Sequence, residues 1–388
     1  MRKGEELWQD IEAKLPILAE IMRENGSQTV YDYAQGYFKY AGKENQKNKK
    51  QEEFLEVLGE IIEERLGKSV ADSAVRQLRK CLVISTAEHH SPLAHPFFLN
   101  SNLISSMPLF ESADADMENL IVLSFSSPSL SNDSGYSRGI VWSEDGNEKK
   151  KINIFTEKEK NIPIYAARAF TAADLERAGA EADSRMRGIV QKYFAPHLSA
   201  ANLCEQITKI NFNLWSDIVR SEKKVNLIYI EIESVVRELL LRCIDEETVR
   251  KLIVLSDTPF WETRDRHRKK FSSVDIEEIQ AKLHTREIFP AMSTCYAMVA
   301  FYYGFTCLGG FCQVNDLTAL KEIWEKNFSA TDTDTKAYGG DGLELIPHYG
   351  LDLVGNPIEM SQVIEKAKNT TLRQAMQPML PEIRKVIY

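Results

Sequence analysis

The chain has no uninterrupted apolar run of membrane-spanning length. Its longest apolar stretch, IFPAMSTCYAMVAFYYGFTCLGG (288–310), leaves about thirteen residues between Pro290 and Gly304, short of the ~20 that a span requires. That stretch predicts a buried core helix instead. A basic excess is missing as well: 57 acidic side chains stand against 48 basic ones, for a net charge of −9. This argues against a nucleic-acid binder, which needs a basic surface to neutralise phosphates. A small anionic ligand stays compatible, because the charge inside a pocket can oppose the global charge.

No two of the six cysteines have the two-residue gap of a zinc knuckle or redox motif. They read as buried, reduced thiols of a cytoplasmic protein. Cys307 and Cys312 are the pair placed to meet across a turn. The opening MRKGEELWQDIEAKLP puts acids where an export signal needs an apolar core, so the expected location is the cytoplasm. Gly67-Lys68-Ser69 lacks the first glycine of a P-loop, with Ile62 in its place, and neither a Gly-x-Ser-x-Gly elbow nor a dinucleotide fingerprint occurs.

What is present is an ordinary globular composition, 43% apolar and 27% charged. Helical spacing runs through residues 5–40 (Leu7, Ile11, Leu15, Leu18, Ile21, Met22, Val30) and again from Glu52 (Phe54, Leu55, Leu58, Ile61, Ile62). Between them, GKENQKNKKQ (42–51) has no apolar residue and predicts an exposed connection. Short β-rich runs follow: CLVIST (81–86), NLIVLSF (119–125), GIVWS (139–143), KINIF (151–155), IPIYAARAF (162–170) and VNLIYIEI (225–232). Helical patterns dominate the remainder. The expectation is an α+β fold with a helical N-terminal region (1–78) and an α+β core (79–388) that holds a central mixed sheet and a helical C-terminal half.

The chemistry concentrates in STAEHHSPLAHPFFLNSN (85–102). Three of seven histidines lie within seven residues of one another, beside Glu88. Strand alternation puts Glu88 and His90 on one face and His89 on the other. Pro92 and Pro96 then predict a rigid loop that carries His95, with Asn100 and Asn102 extending its polar edge. Glu88, His89, His90 and His95 are the candidate acid/base groups. His89, His90 and His95 are also candidate ligands of a divalent metal, although neither H-E-x-x-H nor an H-x-H pair occurs. Backbone-bonded loop histidines give the same pattern. Glu88-His89-His90 resembles the Asp-His-His signature of DHH-type phosphoesterases over these three residues. Glu88 replaces the aspartate and the upstream paired aspartates are missing, so no function carries over.

Three further places suggest ligand contact. The loop LSFSSPSLSNDSGYSRG (123–139) has small residues around Tyr136 and Arg138, suited to gripping phosphate or carboxylate; a plain hairpin loop accounts for it too. In SDTPFWETRDRHRKKF (256–271), Arg264, Arg266 and His267 follow Phe260 and Trp261, a pairing suited to a planar anion. A solvated basic helix start explains that segment equally. His348, in the glycine-bearing loop LIPHYGLDLVGNP, is a candidate to join the histidine cluster. The functional expectation is an enzyme acting on a small, polar, anionic metabolite, with Arg138 and Arg264 or Arg266 neutralising its charge. The alternative is a non-catalytic binding or scaffold protein that meets a partner through its N-terminal helices.

Overall fold

A computed structural model describes residues 2–38, 49–93, 95–133, 135–144 and 148–388. The strands are β1 (Val83–Ser85), β2 (Asn119–Ser124), β3 (Gly139–Glu144), β4 (Glu148–Asn153), β5 (Val219–Arg220) and β6 (Asn226–Glu231), then β7 (Phe260–Arg264), β8 (His267–Phe271), β9 (Ile288–Pro290), β10 (Thr306–Leu308) and β11 (Ile358–Glu359). The fold is α+β, with helices at both ends of the chain and both parallel and antiparallel pairing. The four-stranded sheet at its centre, in the order β10-β1-β2-β6, is parallel throughout. Antiparallel strands pair in the hairpin β3–β4 and the small sheet β8-β7-β9, and isolated antiparallel bridges occur at Thr29–Thr371, Ser129–Pro163 and Arg168–Asn202.

The central strands are buried on both sides. Leu120, Val122, Leu227 and Tyr229 face one apolar layer; Ile84, Ile121, Leu123, Ile228 and Ile230 face the other. This explains why NLIVLSF and VNLIYIEI are continuous apolar runs rather than alternating ones. Helices Pro96–Glu111 and Leu203–Ile218 cover the first side. Lys49–Leu66, Lys68–Lys80 and Ile232–Cys243 cover the second. No helix among the described residues is long and apolar enough to cross a membrane.

Several local expectations change. Pro96 does not break the chain but opens a sixteen-residue helix, Pro96–Glu111, with His95 as its cap. A proline at the first helical position lacks only an N–H that has no partner there anyway. IPIYAARAF forms a single 3-10 turn, Ile164–Ala166, instead of a strand. The basic segment 260–271 is a hairpin, not a helix start. Its two-residue turn, Asp265-Arg266, has positive φ at both positions (54° and 64°), as the tight hairpin turns that match strand twist require. Residues 42–48 of the expected exposed connection lie outside the described residues, and Lys49–Gln51 begin a helix.

At the carboxyl end of β6, Glu231 is fully buried and receives the Arg65 guanidinium through both nitrogens, one at 2.6 Å. Burial alone would raise this carboxyl, but Arg65 holds it down at about 2. The pair ties helix Lys49–Leu66 to the sheet. Arg65→Met strands a buried charge and is expected to cost about 3–5 kcal/mol in urea denaturation. Adding Glu231→Leu to that variant should recover a large part of the loss.

Candidate functional site

From β1 the chain moves to β2 and β6 on one side, by way of the helix Pro96–Glu111. It returns to β10 on the other side of β1, over the opposite face of the sheet. A parallel sheet opens a crevice where its order reverses in this way, beyond the carboxyl ends of the strands that flank the reversal. Here those strands are β1 and β10. A cleft of about 450 Å³ lies there, lined by Thr86, Ala87 and His89 after β1, and by Gly310, Phe311, Cys312 and Gln313 after β10. Ser127 after β2, Trp261 and Arg268 of the small sheet, Tyr296, Asp316 and Asp341 complete it. The volume falls within the range of small-molecule sites, ~300–1,000 Å³.

The histidines separate. His89 lines the cleft, with Nδ1 3.0 Å from Asn132 Oδ1, and burial lowers its pKa. His90 turns into the core, stacked on Tyr229. Its Nδ1 lies 2.7 Å from Ser124 Oγ and its Nε2 2.9 Å from the Cys204 carbonyl. Burial lowers it to about 4, so the ring is neutral. His95 accepts the Phe97 N–H at the helix start and lines a different cleft with Lys149 and Tyr349; burial takes it to about 3. Two adjacent residues in an extended segment project oppositely, and the cap fixes the third, so the expected three-histidine metal site does not assemble. The expectation that Glu88 and His90 share a side does hold, since both lie against Tyr229.

His90, Cys204 and Glu231 place one ligand atom each within 4.8 Å of one another. Glu231 is held by Arg65, however, and His90 Nε2 by a carbonyl. A cation there would have to displace a buried guanidinium.

The expected arginines are engaged elsewhere. Arg138 donates to the Phe155 carbonyl and pairs with Glu157 at 2.8 Å. Tyr136, at φ 49°, bonds Asn153. Both brace the β3–β4 hairpin, while the same loop reaches the cleft through Ser127 and through Asn132 on His89. Arg264 is exposed, beside Glu262. Arg266 donates to the Lys158 carbonyl, and His267 bonds the Asp265 carbonyl and Asn161; the hairpin turn points them away from the sheet. Asn100 is a clamp, accepting from Leu345 and Ile346 N–H and donating to the Pro96 and Ile346 carbonyls. His348 lines neither the cleft nor the His95 cavity. Cys307 and Cys312 are free thiols.

Arg268 is the arginine that faces the cleft. It stacks on Trp261 with its guanidinium carbon 4.4 Å from the ring centroid, and donates to the Ser127 carbonyl at 3.2 Å. Among the described residues no carboxylate pairs with it. The pairing of aromatic and arginine expected in 256–271 is therefore present, one residue past the positions expected. Strand pairing selects it: Thr263 faces Arg268 and Trp261 faces Lys270, so Trp261 and Arg268 are diagonal neighbours on one face.

Buried carboxyls gather around the cleft. Glu233 accepts the Ser126 and Ser127 N–H groups and the Ser126 hydroxyl, at 2.7–3.0 Å. The loop expected to grip a ligand's phosphate or carboxylate turns these amides on the chain's own carboxylate instead. Asp341 accepts the Phe311 N–H at 2.6 Å, and burial raises it to about 7. A Cβ on Gly310 would stand 2.7 Å from its Oδ2, so a larger residue there would push this carboxyl aside. Gln313 accepts the Gly310 N–H and donates to Thr86 Oγ1. Glu88, behind the wall formed by Ala87 and His89, is raised to about 8 by burial. Asn102 donates to its Oε2 at 3.3 Å, while Glu88 Oε1 and Asn102 Oδ1 have no partner among the described residues. A proton on Glu88 turns one of its oxygens into a donor for the amide oxygen.

No protein-family model matches the chain, and no curated protein does. The sequence reading missed Arg268, Asp341 and Gln313. The available signal for Asp341 was GGDG (339–342), where Gly340 and Gly342 take positive φ (87° and 76°) around a lone acid.

Two outcomes test this geometry. His90→Ala leaves Ser124 and the Cys204 carbonyl without their buried partner, and is expected to lower stability by about 2–4 kcal/mol in denaturant titration. Glu88 is protonated in the folded chain between its ordinary pKa and about 8, whereas the unfolded chain has already released that proton. Stability must therefore fall as pH rises through this interval. Glu88→Gln removes that dependence, so its stability relative to the parent should improve between pH 5 and pH 8 by up to about 4 kcal/mol. Parallel stability curves would show that Glu88 is ionised throughout.

Proposed function

We propose that the chain is an enzyme of small-molecule metabolism that binds an anionic substrate in the cleft beyond β1 and β10. The observation that carries this reading is the convergence, at the point where the sheet order reverses, of one unpaired cation with two proton-transfer groups. Arg268, held flat on Trp261, receives the substrate's carboxylate or phosphate. Asp341, poised near neutrality by burial, exchanges a proton with the substrate. His89, neutral in the resting site, provides the second acid/base group. Phe97, Phe98, Phe125, Tyr296 and Phe311 exclude water around them, which strengthens each charge interaction.

This reading keeps one expected catalytic histidine, His89, and moves the charge-neutralising role from Arg138, Arg264 and Arg266 to Arg268. It also differs from a scaffold role in what it requires of the cleft. Arg268→Gln should weaken binding of a small organic anion by about 1.5–3 kcal/mol, read from Trp261 fluorescence, with the melting temperature nearly unchanged. Asp341→Asn and His89→Gln should each abolish turnover in a screen of anionic metabolites that the parent converts, while the fold stays intact. If all three variants retain the parent's binding and turnover, the cleft is not the active site.

A further inference from the structure

The cleft adjoins a second cavity of about 430 Å³, with which it shares Thr258 and Ser293. The helix Gln313–Asn327 runs along both. Gln313 and Asp316 face the cleft, and Leu320, Ile323 and Trp324 face the second cavity. The steps of three, four and three place them on one stripe of the helix. Opposite, Tyr296 lines the cleft and Ala297 the groove, with Ser293 one turn earlier on both. Leu252 and Leu255 close the far wall. The two cavities therefore adjoin along this helix, and the second gathers Leu320, Ile323, Trp324 and Phe328 beside the polar Ser256, Asp257 and Thr294.

Their rim is unusual for a water-facing surface. Of the seven large apolar side chains described as exposed, Met292 and Val386 border the cleft, while Leu255 (47% exposed) and Ile323 (55% exposed) border the groove. Apolar surface gathered in one place favours a covering group. Among the described residues nothing cationic lines the groove. The acidic Asp257 on that lining pairs with Lys270 at 2.9 Å, so among the described lining residues the cation open to an anionic head is Arg268, at the cleft end.

From this we infer that the substrate is a single-chain amphiphile: its anionic head lies against Arg268 and its alkyl tail runs along the groove past Leu320 to Ile323 and Leu255. This rests on the anion-binding reading of the cleft and adds the tail. From Gln313 to Ile323 the helix advances about 15 Å, the reach of a medium-length alkyl chain. The groove is open at its rim, so chain length is graded rather than sharply selected.

A homologous series of probes separates head from tail. Butanoate, hexanoate, octanoate, decanoate and dodecanoate, with the matching n-alkyl phosphates, are titrated against the full chain and followed by tryptophan fluorescence or calorimetry. Affinity is expected to rise by up to about fourfold per methylene, then level off once the groove is filled. Ile323→Lys and Leu255→Asp, both at exposed positions, should flatten this slope and leave butanoate or butyl phosphate binding as in the parent. Arg268→Gln should weaken every member by the same factor and keep the slope.

If short anions bind but affinity ignores chain length, the tail site is wrong and the anion site stands. A slope that survives both groove variants puts the methylenes elsewhere and overturns the assignment. If no member of either series binds, the head and tail readings fall together. Sedimentation as a dimer that Ile323→Lys dissociates also overturns it, because a second copy then covers the groove.

Discussion

Burying a carboxylate is costly, and the carboxyl edge of this sheet buries four carboxyl groups: Glu88, Glu231, Glu233 and Asp341. What each one receives decides its charge. Glu231 has a guanidinium on both oxygens and stays ionised, held down at about 2. Glu233 has two backbone N–H groups and a hydroxyl, which offset part of the rise that burial imposes. Asp341 has one N–H donor and sits near neutrality; Glu88, with the Tyr229 side chain and one amide against it, sits higher still. The series runs from a fixed structural charge to a retained proton: Glu88 follows β1, Glu231 ends β6, Glu233 opens the next helix, and Asp341 comes after the helix Gln313–Asn327.

The same constraint divides the labour of the site. Arg65 is committed to Glu231, so it cannot serve a ligand. The amides of Ser126 and Ser127 are committed to Glu233, so the loop after β2 cannot cradle a phosphate. In the proposed reading charge neutralisation falls instead to Arg268, which reaches the cleft from the small antiparallel sheet and is matched to no carboxylate among the described residues. The same proposal gives proton exchange to Asp341, the carboxyl that both lines the cleft and lies near its titration point. His90, by contrast, is a core residue whose two ring nitrogens join the carboxyl end of β2 to the helix Leu203–Ile218.

Proline and strand pairing account for the main departures from the local pattern. Pro96 looks like a breaker in isolation, yet it starts a helix because the His95 cap and the apolar layer beneath Phe97, Leu99 and Leu103 make helix the better outcome. The basic run 264–270 looks like a solvated face. Pairing with β7 turns it into a strand whose alternate side chains have different fates: His267 bonds a loop, while Arg268 stacks on Trp261 at the cleft.

By itself the sequence determined the α+β class, the apolar runs that become the central strands, and most of the helical segments at both ends of the chain. Those follow from periodicity and composition, which act over a few residues. It also singled out His89 and the association of Trp261 with an arginine. Only the tertiary structure decided which polar groups are free to act, because that depends on partners far apart in the chain: Arg65 for Glu231, Cys204 for His90, Phe311 for Asp341. A side chain's type states what it can do; the donors that folding brings to it leave Arg268 open to a ligand and Arg138 closed to one.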